Sequence, residues 1–203
     1  MYIGNILHTI SREDLNTSAA TTESQLNVIV NETALDLPFK TGMANFQTVS
    51  RILIHDSNRN NQIAQDIASE VNKGQKCLVL TERKEHAEIL NLYLNCQFET
   101  VVLTGDLTDK QKREKIQQVE SGNFQIIIAT GQLLGEGTDF KNLDCLFLVY
   151  PFSFHGKLIQ YIGRLTRGHE NKSPKNIYDY RDTKITYLDR LFKKRESYYK
   201  KNI

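Results

Sequence analysis

Four short runs of unbroken apolar residues constrain this chain more than any other feature: "CLVLT" (77–81), "TVVLTG" (100–105), "QIIIAT" (125–130) and "CLFLVYP" (145–151). A fifth segment, "KNIYDY" (175–180), follows them. A strand with one wet face alternates apolar and polar residues, whereas a strand covered on both faces does not. The runs therefore predict a parallel sheet with helices on both sides. Helical patterns fall in the gaps. Residues 59–72 place Ile63, Ile67 and Val71 on one stripe and end before Gly74. Residues 82–95 repeat the pattern through Ala87, Leu90 and Leu94. Residues 108–120 open on a threonine suited to an N-cap and stop at Gly122. Strand–helix–strand alternation with right-handed crossovers gives a doubly wound α/β fold.

Ligands of such sheets gather beyond the carboxyl ends of the strands. Here "LT" (80–81), "LTG" (103–105) and "ATG" (129–131) all fall at those ends, as does Pro151. Small hydroxyl residues and glycines let a backbone or an anion come close. They are also ordinary turn residues, and the strand ends alone leave both readings open.

The flanks are less regular. "LNVIV" (26–30) and "RILIH" (51–55) fit short strands, and "LNTSAATTES" (15–24) fits a mobile loop. From Thr183 the chain reads as a helix with Ile185, Leu188 and Phe192 on one stripe. The expected division is an N-terminal segment, 1–57, packing on the lobe, a main lobe, 58–182, and a basic helix, 183–203. Residues 181–203 hold eight Lys/Arg against three acidic residues, although the whole chain carries only +2. A basic tail on a slightly acidic body suits a polyanionic partner and equally a solvated helix.

Composition excludes several classes. No apolar run nears the ~20 residues of a membrane span, so no membrane partner is expected. The three cysteines, Cys77, Cys96 and Cys145, form no CxxC, and the five histidines show no ligand spacing. No metal site is expected, Cys77 and Cys145 read as small buried residues, and a reducing, cytoplasmic setting fits.

Near the end of the main lobe stands "QYIGRLTRG" (160–168). Arg164 and Arg167 are three apart, so on a helix they share a face. Each carries a planar fork that fits phosphate or carboxylate. A solvated surface pair is the alternative.

In order, "KCLVLTER" (76–83), "VVLTGDL" (101–107), "IIIATGQLLGEGTDF" (126–140) and "QYIGRLTRG" resemble motifs IV, IVa, V and VI of superfamily II helicases and translocases. In that family these motifs build the second, C-terminal RecA-like lobe. The likeness runs from about residue 58 to 180. The tail "IYDYRDTKITYLDRLFKKRESYYKK" is similar to bacterial and phage-type DEAD/DEAH-like helicases related to type III restriction subunits. The chain has no G-x-x-x-x-G-K-[ST] loop and no D-E-x-[DH]. Both belong to the first lobe in this family, so the resemblance implies the second part of a longer enzyme.

The resemblance implies roles residue by residue. Arg164 and Arg167 would act catalytically, stabilising the transferring phosphate of ATP held, with Mg2+, by the N-terminal RecA-like lobe. Gln160, Gly163, Gly137 and Asp139 would face the nucleotide. Thr81, Arg83, Thr104, Gly105 and Thr130 would contact nucleic acid, DNA rather than RNA by the resemblance of the tail. Capping is the alternative for Asp139, and an exposed helix start for Arg83. Lys193, Lys194, Arg195, Lys200 and Lys201 could add phosphate contacts, though a solvated face suits most of them. Tyr198 and Tyr199 pack on the domain or stack on bases. The chain by itself is expected not to hydrolyse ATP. The rival readings are a stand-alone nucleic-acid or protein binding module derived from such a lobe, and a self-sufficient α/β phosphotransferase or hydrolase.

Overall fold

A computed structural model describes residues 6–10, 26–37, 46–131, 140, 142–152, 155–166 and 174–203. Seven strands form its sheet: β1 (Ile6–Ile10), β2 (Leu26–Glu32), β3 (Cys77–Thr81), β4 (Thr100–Leu103), β5 (Ile126–Thr130), β6 (Cys145–Leu148) and β7 (Lys175–Arg181). Their order across the sheet is β1-β2-β7-β6-β3-β5-β4. All neighbours run parallel except β1, which lies antiparallel to β2 at one edge. The helices are α1 (Phe46–His55), α2 (Ser57–Asn72), α3 (Lys84–Leu94), α4 (Asp109–Glu120), α5 (His155–Thr166) and α6 (Thr186–Asn202).

The apolar runs feed two cores because successive strand residues point to opposite faces. On one face Cys77, Val79, Ile126, Ile128, Cys145 and Phe147 meet Ile63, Ile67 and Val71 of α2 and Ala87, Leu90 and Leu94 of α3. On the other, Leu78, Leu80, Ile127, Ala129, Leu146 and Leu148 meet Val119 of α4, Leu158 and Leu165 of α5, and Phe192 of α6. Every residue of β3, β5 and β6 is buried, as two-sided cover requires. The expected α/β doubly wound, mainly parallel sheet is the observed one.

Local signals set the helix ends. Thr108 caps α4 in a reciprocal capping box: its hydroxyl accepts from Gln111 N, and Gln111 Oε1 accepts from Thr108 N. Gly122 ends that helix at φ +78°, a conformation that favours glycine. Asp56 caps α2 by accepting from Arg59 N at 2.7 Å. The helix expected over 59–72 thus begins two residues earlier, and the 57/58 division falls inside its first turn.

One expectation fails outright. "RILIH" (51–55) is not a strand but the last half of α1. Val49, Ser50, Leu53 and Ile54 are buried, a helical stripe that the isolated pentamer hides. That stripe builds a third cluster with Leu35, Tyr150, Ile185, Leu188 and Leu191. "LNVIV" is a strand as expected, β2, and its pairing with β7 makes the N-terminal segment part of the sheet. The loop expected over 15–24 lies outside the described residues. Among the described residues, no helix is long and apolar enough to cross a membrane.

Candidate nucleotide and nucleic-acid faces at the carboxyl edge

Parallel register gathers the strand ends. Thr81 and Thr130 are direct partners across β3 and β5, and Leu103 pairs with Ala129, which puts Thr104 next in line. The three threonines are all buried but differ in what holds them. Thr104 Oγ1 donates to Asp106 Oδ1 at 2.7 Å across the Gly105 turn. Lys84 also binds Asp106, and that ion pair, with the threonine hydroxyl second, lowers the Asp106 carboxyl below its usual range. Thr130 Oγ1 has no hydrogen-bond partner among the described residues.

Thr81 belongs to a directed chain. Asn60 Nδ2 donates to the Ile54 carbonyl, so Asn60 Oδ1 accepts from His86 Nε2 at 3.2 Å. His86 Nδ1 then accepts from the Thr81 hydroxyl at 3.0 Å. Thr81 Oγ1 itself accepts from Arg83 N at 3.3 Å. Burial holds the His86 imidazole well below its ordinary value of 6.5, and the nearby charges of Arg59 and His55 push the same way. A neutral ring is what the chain of donors requires.

Helix α5 is docked on this edge. Tyr161 Oη donates to Glu82 Oε1 at 3.0 Å and Lys157 Nζ binds Glu82 Oε2 at 2.8 Å. Burial, then the Glu82 carboxylate, pushes the Tyr161 hydroxyl well above the usual phenol range. The fit explains Gly131: a Cβ there would collide with Tyr161 Oη and lie 2.6 Å from Glu82 Oε1. Arg164, one turn beyond Tyr161, is only 7% exposed and makes a contact of its own within the chain. Gln160 is exposed, and a Cβ on Gly163 would meet nothing within 4 Å, so the lobe itself does not demand glycine there. Gly137, Asp139 and Arg167 lie outside the described residues.

Two buried arginines hold the connection between β6 and α5. Arg59 Nη1 donates to the Val149 carbonyl at 2.9 Å while its Nε pairs with Asp182 at 2.9 Å. Arg195 Nη1 donates to the Phe152 carbonyl at 2.5 Å while Nε and Nη2 take both oxygens of Asp179 at 2.8 Å. This corrects the suggestion that Arg195 reaches phosphate: it is 2% exposed and fully committed. Tyr199 also donates to Asp179 and is buried, the packing role expected for it. No sequence pattern announced Glu82, Tyr161, Arg59 or His86. Each is a polar residue inside a helix or strand end, and only the pairing across the fold gives it meaning. Cys77 and Cys145 are buried, as expected. Among the described residues, no group of three or more His, Cys, Asp or Glu could hold a metal ion.

Residues 58–169 match the helicase conserved C-terminal domain family. A transcript termination protein of fowlpox virus is 27% identical over 143 residues, 70% of this chain and 31% of its own length. DEAD-box ATP-dependent RNA helicase 9 of Oryza sativa subsp. japonica is 31% identical over 113 residues, 55% of this chain and 17% of its own. The chain therefore spans only about a third, or less, of these curated relatives. The crystal structure of UvsW from phage T4 superposes with TM-score 0.61 at 20% identity, covering 81% of this chain and 36% of that one, which speaks for the fold. Motif order, a RecA-like sheet and a match across more than half of its residues together make this chain a member of the helicase conserved C-terminal domain family, the C-terminal lobe of a superfamily II helicase.

Proposed function

We propose that the chain is the C-terminal motor lobe of an ATP-dependent DNA helicase or translocase, and that it supplies arginines to ATP bound elsewhere and half of a nucleic-acid track. One observation carries this reading. The ends of β3, β4 and β5 and the docked helix α5 share a single edge, so one lobe face brings the Thr130 hydroxyl, an exposed arginine and the motif VI helix together.

ATP, held with Mg2+ by an N-terminal RecA-like lobe, supplies the phosphoryl group and the driving force. Arg164 and Arg167 stabilise charge on the transferring phosphate, a contribution worth about 10³–10⁵ in rate for arginine fingers. The burial of Arg164 suits a group fixed before the lobes close, because preorganised charge costs no rearrangement at the moment of reaction. Gln160 lies exposed beside it, and the open space at Gly163 admits a close neighbour. Gly137 and Asp139 complete the nucleotide side. On the track side, Arg83 and the strand ends at Thr81, Thr104, Gly105 and Thr130 contact phosphates without reading sequence.

The preference for DNA rests on the resemblance of the tail. The rice relative is named an RNA helicase, so the test includes both polymers. ATP turnover is measured with and without single-stranded DNA and RNA, on this chain and on the complete gene product that contains it. Turnover confined to the longer protein and stimulated by DNA supports the proposal. Stimulation by RNA alone reassigns the polymer. Turnover by the short chain means the active site is misplaced, and silence in both favours a binding module.

A further inference from the structure

Arg83 is exposed, yet it is not loose. Its backbone N–H is tied to Thr81 Oγ1, and its Nε donates to Tyr150 Oη at 3.2 Å. Tyr150 is itself only 4% exposed, and its hydroxyl lies 2.7 Å from Ser50 Oγ of α1. The Tyr150 ring sits 6.4 Å from the His86 ring and packs with Leu53, Ile54 and Leu188. Its backbone belongs to the segment between Val149 and Phe152, whose carbonyls are gripped by Arg59 and Arg195. A buried phenol on a doubly clamped segment therefore holds one edge of an exposed guanidinium. Among the described residues, no hydrogen bond occupies the Nη groups of Arg83.

We infer that Tyr150, backed by Ser50, is a positioning residue that holds Arg83 ready for a nucleic-acid phosphate. The inference rests on the track reading above. It adds that residues outside the family match, those of α1, help to shape that track, since Ser50 precedes residue 58. The physics is preorganisation. An arginine already restrained loses less freedom on binding, and about 0.5–1.5 kcal/mol is typical for immobilising such a side chain. The direction is testable because a tether that instead withheld Arg83 from the ligand would have the opposite effect.

The test uses the complete gene product and labelled single-stranded DNA and RNA oligonucleotides, with Kd read by anisotropy over a series of salt concentrations. Arg83→Ala is expected to weaken binding and to reduce the salt slope by about one. Tyr150→Phe keeps the ring and the charge. It should weaken binding about twofold to tenfold, as loss of preorganisation implies, with the salt slope unchanged. In the Arg83→Ala background, Tyr150→Phe should have no further effect. Ser50→Ala, a milder change, should move Kd the same way by less, with Tm tracked in parallel for every variant.

If Arg83→Ala leaves Kd and slope unchanged, the track reading itself is wrong. If Arg83→Ala weakens binding but Tyr150→Phe does not, or tightens it, the positioning role is overturned and the track stands. An equal loss from Tyr150→Phe in both backgrounds also overturns it, by showing a general structural effect.

Discussion

The two edges of the sheet are built on opposite plans. At the amino edge the buried charges Lys175 and Glu70 are both matched. Lys175, fully buried, donates to the Leu143 carbonyl at 2.8 Å and pairs with Asp144 at 2.9 Å, while Asp144 accepts from Lys76 N at 2.9 Å. Glu70, also buried, accepts from Tyr178 Oη, Lys73 Nζ, Cys145 Sγ and Asn176 Nδ2. At the carboxyl edge a buried threonine hydroxyl has no partner among the described residues, and an arginine stands exposed with one nitrogen tethered. Polar groups buried without a partner cost stability, so a fold keeps them where a ligand uses them. The amino edge secures the sheet, and the carboxyl edge keeps capacity in reserve.

That contrast can be broken in order of size. Arg167→Lys in the complete gene product should lower kcat for ATP by at least about a thousandfold, because an ammonium cannot reproduce the fork. Near-normal turnover would return the arginine to a solvated role. At the amino edge, Lys175→Met should cost about 3 kcal/mol of unfolding free energy in urea, since it strands a partly covered carboxylate. Nucleic-acid affinity of the folded protein should stay within about twofold. A large loss of affinity there would erase the division of labour.

His86 gives a pH test. Its folded pKa lies below the unfolded one, so the unfolded chain binds more protons in the window between them. Stability is therefore complete above about pH 6.5 and falls as pH drops, by up to about 1.4 kcal/mol per pH unit. His86→Gln should flatten Tm between about pH 7 and pH 5. An unchanged slope would assign the loss to other groups. The smallest effect sharpens the comparison most. Thr130→Val removes a hydroxyl that has no partner among the described residues, so it should stabilise the fold by about 1 kcal/mol and blunt stimulation of ATP turnover by nucleic acid. Destabilisation would mean that the hydroxyl is satisfied after all.

How far the sequence could be read follows from which interactions are local. The apolar runs of β3, β5 and β6 needed no partner to be recognised, because burial on both faces writes itself into consecutive residues. The cap at Thr108 and the stop at Gly122 act within a single turn, and both stand where expected. The gathering of Thr81, Thr104 and Thr130 at one edge followed from parallel register alone. What resisted reading was long-range. Arg195 looked like one more cation in a basic tail until Asp179, sixteen residues earlier, claimed two of its three guanidinium nitrogens. "RILIH" is rich in β-branched residues and misleads for that reason, since its helical stripe needs Val49 and Ser50 to be seen. Glu82 looked like an ordinary helix start, and its grip on α5 spans seventy-nine residues.

The arginine clamps bear on where this lobe can be cut. The family match ends at residue 169, but Asp179, Asp182 and Arg195 all lie beyond it. A fragment trimmed to the matched residues would keep Arg59 in its apolar setting and discard the carboxylate that neutralises it. It would also release the Phe152 carbonyl and remove β7 and β2 from the sheet. Stranding a buried charge commonly costs about 3–5 kcal/mol, a large share of what holds a domain this size together. The stretch of chain that similarity delimits is thus shorter than the stretch that can fold.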